Sequence, residues 1–235
     1  MNSWSQTESE AYLSWTANMT TPTISETEAI RNHFREPYKK SGVIYFSGFS
    51  GALIEARHAA YRREDGTKLP NIKHGGWLAA IGYFALLEQI GNCFRPRDTQ
   101  VKVHGNENGI KKALKFFSDL KKEQIDALYA LRCAFAHDFS LSNIKTDNTR
   151  HVYHFRVTEG TGTPLVLFSK EEWDGSYQNI KPETTTTVNL ELFGDMVENL
   201  ITRLQEMAKN DQIKIVLKGG AEELEKRYSF VIIHF

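Results

Sequence analysis

The sequence predicts an α+β protein, with a mainly helical region over residues 1–145 and a smaller α+β region over residues 146–235. Apolar residues recur at three- and four-residue spacings through most of the first region, which is typical of helices. After about Thr149 the pattern alternates between apolar and polar residues, as in strands, before one more long helix. Because no linker separates the two regions, we expect them to pack as one unit.

The composition is that of a globular protein with an ordinary surface. The 235 residues are 40% hydrophobic and 25% charged, proportions that allow a packed core. The 29 basic residues balance the 29 acidic ones, so the net charge does not indicate a polyanionic partner. Cys93 and Cys133 lie far apart and form no CxxC pair. We therefore expect no disulfide, no metal and no cofactor.

The start of the chain carries no targeting pattern. The first twenty residues include Glu8 and Glu10 but no basic residue, unlike a secretory or mitochondrial leader. The longest nearly apolar run, over residues 77–87, is shorter than the roughly 20 residues that span a bilayer. We expect a soluble, cytoplasmic protein without a membrane partner.

The first two helices are predicted from a cap and from apolar spacing. Ser25 followed by Glu28 resembles a capping box, and Pro37 should end the helix soon after Phe34. Apolar spacing predicts a second helix over residues 49–64. Three basic residues fall on or near the side opposite its apolar residues: Arg57, Arg62 and Arg63.

Three more helices are predicted before the change of character. Residues 77–94 are apolar almost all round, which predicts a central helix enclosed by others and ended by Pro96. Residues 108–120 form an amphipathic helix with a basic outer face. The next helix begins near Lys121 and runs through the sequence EQIDALYALRCAFAHDF. The apolar face of the helix over residues 108–120 carries Ile110, Leu114 and Phe117.

The second region is predicted to contain strands around one long helix. Residues 151–157 alternate like a strand, and residues 164–168 form a second one after a turn, which together suggest a hairpin. Apolar residues at helical spacing over residues 190–204 predict the long helix. Terminal strands are predicted over residues 213–217 and 228–235.

Arg132 occupies an unusual place on the helix that begins near Lys121. At about 100° per residue, it falls between Phe139 and Ile125, within the apolar stripe. A guanidinium there is costly to bury unless a carboxylate, a ligand anion or an interface pairs with it. His137 lies about 140° away, so the two side chains of one regular helix diverge. Either the helix loosens at His137, or two copies pack face to face around the Arg132 stripe as a symmetric dimer.

Simpler roles for both residues stay open. In one alternative, Arg132 forms an ion pair with Glu88 or Glu55 on a neighbouring helix. The chain would then be an interaction protein without a catalytic site. His137, near the end of its helix, interacts with the last carbonyl groups and the helix dipole in another.

The string LRCAFAHDF, at the end of an apolar helix in a helical region, resembles the R-x4-6-H element of the HEPN superfamily. Members of this superfamily include RNases of toxin–antitoxin, abortive-infection and CRISPR systems. The resemblance covers about residues 49–142. It implies a HEPN-like helical bundle and a metal-independent endoribonuclease whose active site is shared across a homodimer.

The resemblance also implies roles for Arg132 and His137 as catalytic residues. Arg132 would stabilise the charge that develops on the phosphate. His137 would act as a general acid or base on the 2′-hydroxyl or the 5′-oxygen, leaving a 2′,3′-cyclic phosphate and a 5′-hydroxyl. Active members often carry Asn, Asp or His directly after the arginine, where this chain has Cys133. The alternative is therefore a catalytically inactive HEPN-like module that binds RNA or a protein. A cognate inhibitor protein is a further implied partner.

A basic stretch precedes the Arg132 helix. Residues 95–122 contain eight basic and three acidic residues, although the whole chain is neutral. Such a surface would bind RNA phosphates without choosing a sequence; the alternative is an ordinary solvated helix face. Five lysines are the predicted RNA contacts: Lys111, Lys112, Lys115, Lys121 and Lys122.

Overall fold

The computed structural model describes residues 24–36, 38–40, 43–70, 72, 76–99, 107–144, 152–160, 162–228 and 231–234. Within these ranges, the side chains of residues 38–40, 43–46, 137, 138 and 231–234 are not described. The prediction about a leader and part of the basic stretch, residues 100–106, lie outside the described residues.

An assembly of helices surrounds one central helix. The described residues form α1 (Glu26–Phe34), α2 (Gly48–Ala59), α3 (Trp77–Cys93), α4 (Gly109–Phe117), α5 (Lys122–Asp138), α6 (Leu190–Lys209) and α7 (Gly220–Arg227). Four helices, α2, α4, α5 and α6, pack against α3, which confirms its central position. Among the described residues, no helix combines the length and the apolar character that crossing a membrane requires.

The first helix forms as its sequence predicts. The backbone N–H of Glu28 donates to Ser25 Oγ at 3.2 Å, and the helix ends at Phe34. The second helix is shorter than predicted because α2 ends at Ala59 and Tyr61 adopts a positive φ of 53°. The chain then reverses, and Arg62 forms a β-bridge with Lys68.

The expectation that Arg57 and Arg62 face away from the core is wrong. Both arginines are buried, and each meets a carboxylate of α6. Arg57 Nη2 donates to Glu198 Oε2 at 2.8 Å, and Arg62 Nη2 donates to Asp195 Oδ1 at 2.6 Å. These ion pairs attach α2 and the turn after it to α6. Local periodicity does not reveal them because the partners lie more than 130 positions away in the sequence.

Short strands form three small sheets. The strands are β1 (Tyr38–Lys40), β2 (Val43–Phe46), β3 (Phe94–Pro96), β4 (Ser142–Asn143), β5 (Tyr153–Thr158), β6 (Val166–Leu167), β7 (Thr185–Asn189), β8 (Ile213–Ile215) and β9 (Val231–His234). Their orders are β1-β2-β9, β3-β8 and β4-β5-β7-β6. The pairs β2–β9 and β3–β8 join the two regions of the chain.

The predicted hairpin between residues 151–157 and 164–168 is wrong. β7 lies between β5 and β6, parallel to β5 and antiparallel to β6. Its sequence is three threonines followed by Val188 and Asn189, and β-branched residues favour strands. Phe155 of β5 is paired with Thr186 of β7, and both are buried. The structure is therefore of the α+β class, with a strand order that the local pattern does not predict.

One hydrophobic core extends through both regions. Its buried members run from Ala29 in α1 to Leu224 in α7. Phe84 of α3 and Phe193 of α6 meet with ring centroids 4.5 Å apart. The long helix α6 thus packs its apolar stripe on the central helix.

Candidate functional site around Arg132

The helix that carries Arg132 and His137 is regular throughout. The backbone N–H of Lys121 donates to the Gln124 side chain at 3.0 Å where the helix begins. Helical structure continues to Asp138 and ends at Phe139, whose φ is 49°. The expected loosening at His137 is therefore not seen, and positions 132 and 137 occupy different sides of one helix. The His137 side chain lies outside the described residues.

The sequence predicts Arg132 within the buried stripe of α5, but the structure places it outside that stripe. Four members of the predicted stripe are buried, namely Ile125, Leu128, Leu131 and Phe135. Small residues that the prediction left out, such as Ala127 and Ala134, are buried with them. The side that includes Arg132 and Tyr129 is half-buried, and Ala136 beside it is exposed. Periodicity shifts the buried side because apolar residues recur only weakly at helical spacing in α5, so that its neighbours α3, α4, β4 and β5 decide which side is covered.

Arg132 is paired within the chain. Its Nη2 donates to Oε2 of Glu88 on α3 at 2.7 Å. The two side chains are 27% and 32% exposed, so solvent reaches the pair. This confirms the predicted pairing with Glu88 rather than Glu55. An ion pair so exposed contributes only about 0–1 kcal/mol to stability.

The two helices that carry this ion pair also expose large apolar residues. Leu78 on α3 is 68% exposed, and Phe139 at the end of α5 is 60% exposed. At about 100° per residue, Phe139 lies about 20° from Arg132 around α5, whereas Leu78 lies about 80° from Glu88 around α3. We call this surface the α3–α5 face and define it by Leu78, Ile81, Ala85 and Glu88 of α3 with Tyr129, Arg132, Ala136 and Phe139 of α5. Apolar residues grouped on a surface are typical of interaction sites.

Cys133 is turned into the protein. Its side chain is 8% exposed and forms a hydrogen bond with Tyr129. Burial, and after it this hydrogen bond, raises the pKa of Tyr129 to about 12. The Lys111 ammonium lies 4.9 Å from the centre of the same ring. The thiol thus packs next to the α3–α5 face without contributing a charged group to it.

The five predicted RNA-binding lysines lie on α4 and at the start of α5, and three of them pair with carboxylates. Lys111 Nζ lies 2.5 Å and Lys122 Nζ 3.3 Å from oxygens of Asp126. Although burial favours the neutral acid, these two ammonium groups hold the pKa of Asp126 below its ordinary value. Lys115 pairs with Glu107 at 3.4 Å.

The remaining two lysines are available to bind an anion. Lys121 is exposed and Lys112 is half-buried. Neither has a carboxylate within 4.0 Å in the part of the chain that the structure describes. The basic surface is thus weaker than the sequence suggests, because Asp126 and Glu107 neutralise part of it.

The described side chains offer no evident set of metal ligands. They contain no group of three or more His, Cys, Asp or Glu residues placed to hold an ion.

Comparisons with known protein families, with curated proteins and with solved structures found no match to this chain. Its function is therefore inferred from its own residues. Glu88 and the exposed apolar residues of α3 are the members of the face that sequence reasoning did not assign to a site. The sequence feature that could have indicated them is that α3 has almost no polar side, although one of its sides reaches solvent.

Proposed function

We propose that the chain is a metal-independent endoribonuclease of the HEPN type that works in the cytoplasm as a homodimer. The observation that carries the proposal is the α3–α5 face, where the arginine of the R-x4-H element is partly exposed on helices that also expose Leu78 and Phe139. A second copy packed on this face would cover the apolar residues and bring two copies of Arg132 together. It would also add the second histidine that one regular helix does not place beside its own arginine.

The chemistry of the proposed site follows from its two residue types. The pair with Glu88 uses one N–H of Arg132 and holds the guanidinium in place, and other N–H donors of the planar group suit a phosphate. A histidine is suited to proton transfer near neutral pH, and His137 would transfer a proton from the 2′-hydroxyl or to the 5′-oxygen. The expected products are a 2′,3′-cyclic phosphate and a 5′-hydroxyl.

The lysines on α4 and at the start of α5 are proposed to bind the RNA backbone. Lys112 and Lys121 are the first candidates because no described carboxylate neutralises them. Phosphate contacts of this kind supply affinity that decreases with salt but do not select a sequence.

The test is RNA cleavage in EDTA by purified variants. We expect Arg132→Ala to abolish cleavage, and His137→Ala to slow it by about 10²–10⁴-fold, the usual contribution of a general acid or base. Two matched controls should keep full activity. Arg203→Ala changes another helical arginine that pairs with a carboxylate, and His58→Ala changes another histidine in the last turn of a helix. Circular dichroism checks that all four variants fold. Unchanged cleavage by Arg132→Ala and His137→Ala contradicts the proposal.

A second candidate function is a HEPN-like module without catalysis. The burial of Cys133, at the position where active members often carry a polar residue, favours it. Such a module would bind RNA or a partner protein through the same face. Labelled RNA that is bound but remains intact after long incubation supports this alternative. In either case a toxin–antitoxin or antiviral setting with a cognate inhibitor protein is part of the proposal.

A further inference from the structure

A groove of about 430 Å³ opens where the start of α5 meets strands β5 and β6. Its volume falls in the range of roughly 300–1,000 Å³ that small-molecule sites occupy. The groove combines a polar side from α5 with an aromatic side from the sheet, and it is lined by Lys121, Glu123, Gln124, Asp126, Tyr153 and Phe168. Tyr153 and Phe168 lie outside the stretch that resembles the HEPN superfamily, so the resemblance implies no role for them.

Phe168 presents an aromatic ring to the groove from a fixed position. The residue is 41% exposed and directly follows β6. Leu167 before it pairs with Thr187 of β7, and the backbone N–H of Ser169 after it donates to Thr186 Oγ1 at 3.3 Å. The chain is thus held on both sides of Phe168, so a ligand meets a ring whose position the strand already sets.

Tyr153 of β5 supplies a second, more enclosed ring. It is half-buried and packs nearly parallel to the buried Phe155, with ring centroids 5.2 Å apart and planes inclined by 13°. Burial, and after it the charge of Asp126, raises the pKa of Tyr153 above its ordinary value, so the phenol remains neutral. The sheet side of the groove is therefore aromatic and uncharged.

The α5 side of the groove carries an excess of positive charge. Lys121 is exposed and has no carboxylate within 4.0 Å among the described residues. Asp126 is paired with both Lys111 and Lys122, so its own charge is more than offset. Glu123 is exposed and has no ion-pair partner in the described part of the chain, so it weakens the positive field without reversing it. Lys121 is therefore the cation of the groove that is left for a ligand.

An exposed aromatic ring and an unpaired ammonium group in one groove are suited to a nucleotide whose base is unpaired. Proteins bind single-stranded RNA by stacking its bases on aromatic side chains while basic groups contact its backbone. Every base has a flat face, so such a contact does not select a sequence. A base within a duplex is already stacked on its neighbours and does not reach Phe168. An apolar peptide segment would use the rings but would leave Lys121 without a partner.

We infer that this groove binds an unpaired base of the RNA, which stacks on Phe168 while Lys121 contacts a neighbouring phosphate. The inference rests on the proposed function and adds to it a base-binding site from the α+β region. This region thereby favours RNA with unpaired bases, whereas the lysines of α4 supply affinity for any phosphate backbone.

The test measures the binding of a fluorescent oligoadenylate by anisotropy, as a single strand and in its duplex with oligouridylate. Both strands carry 2′-O-methyl groups, which remove the attacking hydroxyl of the proposed cleavage and keep the RNA intact. Phe168→Ala should lower the affinity for the single strand by roughly five- to 150-fold, the usual cost of losing one ring that stacks on a base, and leave duplex binding unchanged. The matched control Tyr177→Ala removes another exposed aromatic ring, outside the groove, and should bind both RNAs like the wild type.

The charged residues give a second readout, the dependence of affinity on salt. Lys121→Ala should weaken binding and reduce the slope of log affinity against log salt by about 0.7, the value for one phosphate contact of a single strand. Glu123→Gln should strengthen binding, and Phe168→Ala should keep the slope, since stacking releases no counterions. The control is Lys218→Ala, another exposed lysine without an ion-pair partner among the described residues, which should change neither affinity nor slope. An unchanged slope for Lys121→Ala contradicts the phosphate contact.

Three results overturn the base site: a wild type that binds no RNA, a Phe168→Ala variant that binds the single strand as tightly as the wild type, and an equal loss for single strand and duplex. Cleavage of unmodified RNA, measured separately, distinguishes this inference from the proposed function. Single-strand binding that depends on Phe168, in a protein that cleaves no RNA, contradicts the nuclease and supports the base site. Cleavage by the wild type with an unchanged affinity of Phe168→Ala contradicts the base site alone.

Discussion

His33 is a histidine enclosed by aromatic rings at the centre of the N-terminal packing. Its ring is 3% exposed and lies 5.2–5.6 Å, centroid to centroid, from those of Phe34, Phe94 and Tyr228. Burial lowers its pKa from 6.5 to about 3. The side chain therefore remains neutral in the folded protein at every pH at which the protein is expected to work.

This burial predicts a loss of stability in acid. Below pH 6.5 the unfolded chain takes up a proton at His33, whereas the folded protein does so only near pH 3. The contribution of neutral His33 to the free energy of unfolding is thus fully present above pH 6.5. It falls by up to about 1.4 kcal/mol per pH unit towards pH 3. Urea unfolding of the wild type and of His33→Leu at pH 7.5, 6, 5 and 4 measures how the free energy of unfolding of each protein depends on pH. The advantage of the wild type should shrink as the pH falls, and parallel profiles would contradict the prediction.

At the scale of elements, α3 and α4 cross so closely that both helices carry glycine at the contact. A Cβ on Gly91 would lie 1.7 Å from the carbonyl oxygen of Gly109, and a Cβ on Gly109 would lie 2.5 Å from the carbonyl oxygen of Glu88. Since backbone atoms stand in the way, a methyl group at either position must push the helices apart. Glu88 belongs to the α3–α5 face, so this crossing also sets the position of the proposed site.

We predict that Gly91→Ala destabilises the protein by about 3 kcal/mol or more, as overpacking at a backbone contact does. The matched control is Gly82→Ala in the same helix, where the new Cβ meets the methyl group of Ala56 at 3.0 Å. Its cost should be much smaller, because this contact is far less close than the one at Gly91, and alanine favours helix over glycine. Urea unfolding compares the two, and equal losses would show that the close crossing is not the cause.

The sequence predicts most helices and few of the strand pairings. The helices α1, α3, α4, α5 and α6 form within a few residues of their predicted bounds, because helical hydrogen bonds and apolar spacing are local. β7 is not predicted, although its β-branched threonines are a usable signal. The other missed elements are β1, β2, β3, β4 and α7. Pairing between distant strands, such as β3 with β8, depends on the position of the whole core.

At the scale of the whole molecule, the α3–α5 face predicts self-association. Leu78 lies on this face, and Leu167 on β6 is a second exposed leucine, 50% exposed, outside it. We expect Leu78→Lys to convert a dimer into a monomer, because a two-fold interface would bring two added charges into one apolar contact. Leu167→Lys should remain dimeric. Light scattering over a range of concentrations measures both, and a wild-type monomer would contradict the shared active site and favour a protein whose Arg132 serves only in its pair with Glu88.

The order of the helices, and the placement of Arg132 and His137 five residues apart on one of them, are determined by the sequence alone. These features depend on spacing along the chain, which local hydrogen bonding converts directly into structure. The tertiary structure decides which side of α5 is covered, that Glu88 meets Arg132, and that Lys121 and Phe168 line one groove. The physical reason is that burial and charge pairing depend on neighbours many positions away, and a helix with weak periodicity in its apolar residues does not by itself determine which side is covered.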